Sequence, residues 1–405
     1  MSKKWWTVGL LFLGILINYV DRGNLSIVAV PMMREFGISP KAMGILLSAF
    51  FWSYSLLQIP AGYVVDRFGL KWTYAGAFLL WSLASAAVGL AESFEQVLAF
   101  RVLLGIGEAV AAPASLAYIR QQFREDEQGL PTAIYVSGMM LGPAIGAFFG
   151  AVLLEHLGWR QLFVFTGLGG CLWLIPWFLV APTAKARREV RAAEQPIEWA
   201  RLFRSPLLWG ISVGAFFYSY YWYFYLTWLP SYLVMAHGFS FLKMGAYTAI
   251  PLLGMALVAT LAGRAADRMI SRSGHALRVR KAFVCVGFTA GSSIFLLLLV
   301  QSQYAVLATV CFSLLGIGLA SANYWALTQA VTPERIIGRV IGYQNTVANA
   351  AGVCAPILTG YLLGDGKDFR SSIAFAGGSL LIAAAAYAWM VRERDVKAFQ
   401  TQSGT

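Results

Sequence analysis

Four charged residues lie inside apolar stretches of this 405-residue chain: Asp21 and Arg22 in the first stretch, and Arg101 and Glu108 in the fourth. A charge at the centre of a membrane helix costs about 2.5–3.5 kcal/mol, so such residues persist where they pair or line a cavity. Two guanidiniums can hold a carboxylate, and a carboxyl group screened from water favours its protonated form. The four residues predict a combined anion and proton site; the alternative is a pair of structural salt bridges.

The stretches that must position these residues are apolar enough to cross a membrane. Hydrophobic residues make up 59% of the chain and charged residues 12%, about half the charged share of a soluble protein. Long runs without two-residue alternation indicate helices, which satisfy their backbone in lipid. The predicted spans are 5–30, 41–65, 72–91, 94–119, 128–154, 161–181, 207–235, 241–263, 281–300, 304–329, 337–363 and 371–391.

The helical rise places the charges along two of these spans. With about 1.5 Å per residue, Asp21 and Arg22 lie in the outer half of the first span. Arg101 lies about 10 Å and Glu108 about 20 Å below the start of the fourth, on one helix face because they are two turns apart. The arithmetic predicts Arg22 and Arg101 at one level, Glu108 deeper, and Arg101 and Glu108 as a coupled pair.

Lysine and arginine positions predict the orientation in the membrane. With a cytoplasmic N-terminus, 23 of the 31 basic residues fall in inside segments and 6 in outside segments. The positive-inside rule therefore predicts a multi-pass protein of the cell (inner) membrane with both termini in the cytoplasm. The net charge of +12 then comes from basic residues that set the orientation and lie near anionic lipid, and it does not indicate a nucleic-acid partner.

The chain divides into two halves. Its longest polar stretch, residues 182–206, predicts a cytoplasmic linker between an N-terminal six-helix bundle, 1–181, and a C-terminal six-helix bundle, 207–405. Repeated halves are a recurring transporter design, with the substrate site near the bilayer midplane.

A short motif repeats in the two halves. Gly62 and Gly263 each begin a GxxxDR segment, after the second and the eighth span. The repetition predicts a charged cytoplasmic gate; a solvated loop that only sets topology is the alternative. The predicted gating residues are Asp66, Arg67, Asp267 and Arg268.

Twelve spans, two halves and the repeated GxxxDR segment resemble the major facilitator superfamily over the whole chain. A narrower resemblance is to the anion:cation symporter family, which includes bacterial sugar-acid symporters and animal sialic-acid and vesicular glutamate transporters. Tyr19 to Leu25 is similar to its YxDRxNL stretch, and Arg101 to Ala109 to its RxxxGxxEA pattern. Leu226 to Leu233 is similar to the end of its seventh span, and Asn345 to Asn349 with Pro356 to its eleventh.

The resemblance implies an all-α membrane fold of twelve helices in two six-helix bundles around a central cavity, working by alternating access. It also implies a secondary active transporter that takes up a small organic anion with protons. A sugar acid such as a hexonate, hexuronate or aldarate is the expected substrate. The implied roles are anion contact by Arg22 and Tyr54, proton binding by Asp21 and Glu108, pairing of Arg101 with the acid, and substrate-hydroxyl contact by Ser321, Asn323 and Asn345.

The seventh span departs from the sugar-acid carriers, because Tyr218 to Tyr225 is unusually aromatic and lacks the glutamine or asparagine expected near its start. These rings predict a wall on which a sugar ring or aromatic acid stacks; an interfacial aromatic belt or helix packing are the alternatives. The full set of predicted substrate-binding residues is Tyr19, Arg22, Tyr54, Tyr221, Tyr223, Ser321, Asn323, Asn345 and Asn349.

Other classes of protein fit the sequence less well. The four scattered cysteines form no CxxC pair or Cys/His cluster, so neither a metal site nor a disulfide scaffold is indicated. No cofactor is expected, and protons are the expected coupling ion. No nucleophile–base pair or nucleotide loop indicates an enzyme. An exporter or uniporter of another small molecule, an anion-sensing receptor, and sodium in place of protons stay open as alternatives. We expect a monomer that contacts lipid, protons and an anionic substrate.

Overall fold

The computed structural model describes residues 3–124, 127–182, 202–333, 335–364, 366, 368–396 and 399. Most of the predicted linker 182–206 lies outside these residues, as does the side chain of Asp66. Every regular element of the described residues is a helix, and the helices are joined by turns and short loops, which agrees with the all-α expectation.

Within the described residues, eight α-helices precede the linker. Two helix pairs, α4 with α5 and α7 with α8, follow each other so closely that each pair makes a single membrane-length segment. The eight are α1 (Lys3–Phe36), α2 (Pro40–Phe68), α3 (Leu70–Val88), α4 (Phe94–Glu108), α5 (Ala111–Gln122), α6 (Gly129–Leu157), α7 (Trp159–Cys171) and α8 (Leu174–Val180).

Six more helices follow the linker, so the described chain has twelve membrane-length segments. Nine of these, within the described residues, are apolar enough by length and composition to cross a bilayer. The segment predicted at 281–300 is α-helical only at first, because its last part, Ser292–Leu298, is a 3-10 helix. The six are α9 (Pro206–His237), α10 (Phe241–Ser273), α11 (Ala276–Gly291), α12 (Gln303–Val331), α13 (Ile337–Leu363) and α14 (Arg370–Met390).

Local sequence sets where the first helices begin and end. The Ser39 side chain caps α2 by accepting from the backbone N–H of Ala42 at 3.3 Å, and Pro40 is suited to a first helical position, where an N–H has no partner anyway. Gly69 then separates α2 from α3 with a φ of +81°, a conformation that glycine adopts at no steric cost. These signals make a short, sharp connection between the two helices.

The fourth span is broken where a functional residue lies. The sequence predicts one run, 94–119, but α4 ends at Glu108 and α5 begins at Ala111, with a turn at Ala109 and Val110 between them. The break leaves Glu108 in the last position of α4, fully inside the protein with 1% exposure.

Close packing of α1 on α6 fixes the helix that carries Asp21 and Arg22. A Cβ added at Gly142 would lie 2.6 Å from Tyr19 Cβ, and one at Gly146 would lie 3.1 Å from Val20 Cα. The four-residue spacing of glycines along α6 predicts such an approach, since small residues let membrane helices come together.

Contacts between Cα atoms divide the chain into two compact units. Unit 1 consists of Met1–Val190, Leu226–Ala249 and Pro356–Lys367, and unit 2 of Arg191–Tyr225, Ile250–Ala355 and Asp368–Thr405. Inside unit 1, the segment from α9 meets the segment from α13, because Trp228 Nε1 donates to the carbonyl oxygen of Pro356 at 3.0 Å. The boundaries 1–181 and 207–405 stay a prediction from sequence.

Candidate functional site

A buried ion pair joins two helices of unit 1. The Arg22 guanidinium on α1 donates from Nη2 to Glu108 Oε2 at 3.0 Å and from Nε to the same oxygen at 3.3 Å. The Glu108 side chain has no exposure and that of Arg22 only 11%. Arg22 Nη2 also donates to Asn18 Oδ1, one turn earlier, at 3.2 Å. The pair is shielded from water, where opposite charges attract far more strongly than on a surface.

Three aromatic rings surround the Arg22 guanidinium. Its central carbon lies 4.5 Å from the Tyr19 ring centroid, 4.5 Å from that of Phe50 and 4.7 Å from that of Tyr54. Phe50 and Tyr54 stack on each other with their centroids 5.0 Å apart. A cation among rings is stabilised by the negative faces of their π systems. The structure thus brings together three predicted substrate-binding residues, Tyr19, Arg22 and Tyr54.

The second buried arginine has donors that the described residues do not engage. Arg101 is 2% exposed, and its Nε and Nη1 have no hydrogen-bond partner among the described residues. Its guanidinium carbon lies 5.6 Å from the Phe50 ring, which Arg22 also contacts, so the two buried guanidiniums share one aromatic neighbour. Within the described residues the direct hydrogen bonds to the Glu108 carboxylate come from Arg22 instead, so the coupling of Arg101 with Glu108 stays a prediction.

Asp21 faces a different set of groups. Its Oδ1 accepts from Ser85 Oγ of α3 at 2.9 Å and from Asn24 Nδ2 at 3.5 Å. The same Asn24 amide donates to Thr166 Oγ1 of α7 at 3.0 Å. Asp21 is fully buried, and its Oδ2 has no hydrogen-bond partner in the described part of the chain. The two adjacent charges of α1 therefore have different hydrogen-bond partners: a carboxylate for Arg22 and neutral polar groups for Asp21.

Two of the predicted tyrosines, both in unit 2, have different surroundings. Tyr223 is half-buried, and its hydroxyl donates to Asn349 Oδ1 at 3.3 Å. Tyr221 is fully buried and shares a short hydrogen bond with the Ser313 hydroxyl of α12. The structure therefore joins Tyr223 to another predicted substrate residue, whereas it places Tyr221 against a helix of its own bundle.

The remaining predicted substrate residues are all part of unit 2. Asn323 is fully buried, its Oδ1 accepts from Arg280 Nη1 at 3.3 Å and its Nδ2 donates to the Leu319 carbonyl oxygen. Ser321 donates to the Gly318 carbonyl oxygen at 3.3 Å. Asn345 is half-buried. Both polar atoms of the Asn323 side chain are thus engaged within unit 2.

One predicted gating residue has an ion pair. Asp267 Oδ1 accepts from Arg280 Nη2 at 2.9 Å, so Arg280 joins the GxxxDR segment of α10 to Asn323 of α12. Arg268 and Arg67 are exposed. The corresponding side chain in the first half, Asp66, lies outside the described residues.

Four residues with direct contacts to the site were not among the predicted site residues: Asn18, Asn24, Phe50 and Ser85. Asn18 could have been found by its spacing, since it precedes Arg22 by one helical turn. Asn24 follows Asp21 by three residues, a spacing that carries the same signal. Phe50 and Ser85 carry no such signal, because an aromatic or a serine in an apolar helix is common and its neighbours are set by tertiary packing.

Comparison with known proteins identifies the class. A family model described as Major Facilitator Superfamily matches residues 11–356. The chain is 30% identical over 421 residues to a D-galactonate transporter of Escherichia coli O6:H1, covering 98% of this chain and 96% of the relative. It is 32% identical over 375 residues to a probable sulfoacetate transporter of Cupriavidus necator, covering 88% and 86%.

A solved structure shares the fold. The crystal structure of a bacterial homologue of the human lysosomal transporter Spinster, inward-facing and unoccupied, superimposes with a TM-score of 0.81. The two chains are 19% identical, and 99% of each is covered. The resemblance seen in the spans, the halves and the GxxxDR segments is therefore confirmed: the chain belongs to the major facilitator superfamily of membrane transporters, with its all-α multi-pass fold, and not to a class of enzymes.

Proposed function

We propose that this protein takes up a small organic anion, a sugar acid in particular, together with protons. The observation that carries the proposal is the buried Arg22–Glu108 ion pair inside a cage of aromatic rings. An arginine held this way is a receptor for a carboxylate, since its fork of N–H groups matches a carboxylate's two oxygens. The Glu108 carboxylate now binds this guanidinium. When Glu108 is protonated, it no longer competes with a substrate carboxylate for Arg22.

The proposed cycle follows from that competition. A proton from outside binds Glu108, the ion pair with Arg22 breaks, and the guanidinium becomes available to an incoming anion. Asp21, a buried carboxyl group whose hydrogen-bond partners are neutral, is the second proposed proton site. After the protein has opened inward, loss of the proton restores the carboxylate, which reclaims Arg22 and displaces the anion. Protons are the only coupling ion that this cycle needs.

Relatives support the substrate class. One is named a D-galactonate transporter and another a probable sulfoacetate transporter, and both names denote small organic anions. A sugar acid also carries hydroxyls, for which the half-buried Tyr223 and the Asn349 amide are suitable partners in unit 2. Within that unit, Asp267 with Arg280 is the proposed cytoplasmic gate contact. The proposed location is the inner cell membrane, with both termini cytoplasmic and the protein a monomer in contact with lipid.

Transport by the purified protein in liposomes tests the proposal. An inward proton gradient is imposed with sodium absent, and uptake of labelled hexonates, hexuronates, aldarates, short dicarboxylates and neutral sugars is compared. We expect accumulation of a sugar acid above its external concentration, abolished when a protonophore collapses the gradient. Uptake that ignores the proton gradient, that requires sodium, or that is confined to neutral sugars contradicts the proposal.

A further inference from the structure

One exposed face of α10 is apolar over about one leaflet of a membrane. Its apolar residues recur every three or four positions, which keeps them on one side of the helix, whereas the opposite side, for example Met255 and Ala259, is buried. By helical rise this apolar face is about 16 Å long, half of a hydrocarbon core of about 30 Å. Since the chain is a membrane transporter, such a face contacts lipid chains. Its residues are Ile250, Leu253, Leu257 and Leu261.

The same face of α10 continues as a row of three arginines. Arg264, Arg268 and Arg272 follow Leu261 at intervals of three or four residues, and all three are exposed. This arginine row extends the face by about 12 Å along the helix axis, which is where a helix leaves the hydrocarbon and passes the lipid headgroups. Arginine is suited to this depth, because its methylene stem lies along apolar surface while its guanidinium stays among polar groups.

The arginine row has no acidic partner within the described part of the protein. The single acidic residue in the α10 sequence is Asp267, and its Oδ1 accepts from Arg280 Nη2 of α11 at 2.9 Å. By contrast, Arg278 is also exposed but forms an ion pair with Glu393 at 2.8 Å. The arginine row therefore presents three positive charges that no described carboxylate compensates.

The corresponding positions in the first half do not form such a row. Aligning the two GxxxDR segments places Tyr63 opposite Arg264 and Lys71 opposite Arg272. The Lys71 ammonium is already engaged, because its Nζ donates to the Phe178 carbonyl oxygen at 2.8 Å. Both halves share the general bias of basic residues toward the cytoplasm, so that bias alone does not account for the arginine row of unit 2.

We propose that the apolar face and the arginine row of α10 together bind an anionic phospholipid. The lipid phosphate accepts from the guanidiniums of adjacent arginines, whose forked N–H groups match phosphate oxygens, and an acyl chain lies along the leucines. A zwitterionic lipid suits the row less well, because its ammonium is repelled by three cations. In the proposed orientation the lipid belongs to the cytoplasmic leaflet. It holds the end of α10 that carries Asp267 at headgroup depth.

Lipid binding to the purified full-length protein in detergent tests the proposal. Native mass spectrometry measures the affinity for phosphatidylglycerol, which is anionic, and for phosphatidylcholine, which is zwitterionic. The double variant Arg264→Gln/Arg272→Gln removes two arginines of the row and leaves Arg268 of the GxxxDR segment in place. The matched control is Arg278→Gln/Arg394→Gln, which removes the same charge from two exposed arginines that already have carboxylate partners.

We expect the unchanged protein to bind phosphatidylglycerol at least about tenfold more tightly than phosphatidylcholine. The double variant should bind phosphatidylglycerol about 30-fold more weakly, which corresponds to about 2 kcal/mol, because each basic residue near anionic lipid contributes about 1 kcal/mol. The control should stay within about twofold of the unchanged protein. Equal affinity of the unchanged protein for the two lipids, or an equal loss in the double variant and the control, overturns the site.

Melting temperatures separate a lipid site from a site for free anions and from misfolding. Phosphatidylglycerol should raise the melting temperature of the unchanged protein, whereas inorganic phosphate, which has no acyl chain, should not; an equal rise with both overturns the lipid site. Without added lipid the double variant should melt as the unchanged protein does, because both altered side chains are exposed. If it does not, Arg272→Gln alone replaces it, with an expected loss in affinity of about fivefold. None of these measurements requires transport, so their outcome is independent of the proposed function.

Discussion

The two compact units differ in what they bury. In unit 1 the buried polar side chains include three charged residues, Asp21, Arg101 and Glu108, whereas the buried polar side chains of unit 2 are neutral throughout the described residues. Charges in a membrane interior are costly and are kept for function. Under the proposed function, the residues for anion capture and proton coupling all belong to unit 1, and the neutral polar groups of unit 2 suit uncharged parts of a substrate, such as hydroxyls.

The largest effect should follow from changing the anion receptor. Arg22→Lys keeps the charge but loses the forked N–H geometry and the flat cation that three rings enclose. We expect uptake and exchange of the sugar acid to fall by at least about 100-fold, which corresponds to about 2.7 kcal/mol of lost binding. Arg34→Lys is the matched control, because Arg34 is an exposed residue on the same helix and its variant should transport normally. Equal transport by both variants would remove Arg22 from the site.

A smaller effect is expected at the second proposed proton site. Ser85→Ala removes a hydrogen bond of 2.9 Å to Asp21, and hydrogen bonds to charged groups contribute about 1.5–3 kcal/mol. We expect proton-driven accumulation to fall about tenfold or more, while exchange is largely retained. Ser82→Ala, one turn away on α3, is the control: its hydroxyl makes no hydrogen bond in the described part of the structure. If Ser85→Ala and Ser82→Ala have the same proton-driven accumulation, the hydrogen bond from Ser85 to Asp21 contributes only to packing.

The smallest effect should separate the two tyrosines of unit 2. Tyr223→Phe loses the bond to Asn349, a neutral hydrogen bond worth about 1 kcal/mol. We expect the KM for a sugar acid to rise about fivefold, with proton dependence unchanged. Tyr221→Phe should leave KM unchanged and instead lower the melting temperature, because its hydroxyl bonds to Ser313 inside the bundle. If KM changes only in Tyr221→Phe, then Tyr221 and not Tyr223 contacts the substrate.

Much of the fold could be predicted from sequence, because the length of each apolar run and the charges beside it indicate where a helix lies without knowledge of tertiary contacts. The apolar runs predict the helices, and the helices continue past them where polar ends reach out of the membrane, as α1 does on both sides of the predicted 5–30. The break after Glu108 was missed because the run through Ala109 and Val110 stays apolar, so hydropathy carries no signal there.

The candidate site was only partly predictable. Residue spacing along α4 gives the position of each residue along the helix axis and the helix face on which it lies, and it places Arg101 and Glu108 on the same face. It does not give the lateral distance to α1, and this distance decides that Arg22 pairs with the carboxylate. Similarly, the tyrosine-rich run of α9 indicates aromatic contacts, but which ring faces its own bundle depends on α12 and its Ser313.

The central claim is that protonation of Glu108 frees Arg22 for the anion, and proton uptake on binding tests it most directly. Calorimetric titration of a sugar acid in two buffers of different ionisation enthalpy gives the number of protons taken up per anion bound. We predict net proton uptake by the unchanged protein, and binding that weakens as pH rises, because at high pH the ionised carboxylate keeps Arg22. The Glu108→Gln variant should still bind the anion. It should take up fewer protons per anion bound, and its affinity should depend less on pH. Proton uptake that is absent in the unchanged protein, or is the same in Glu108→Gln, would contradict the account.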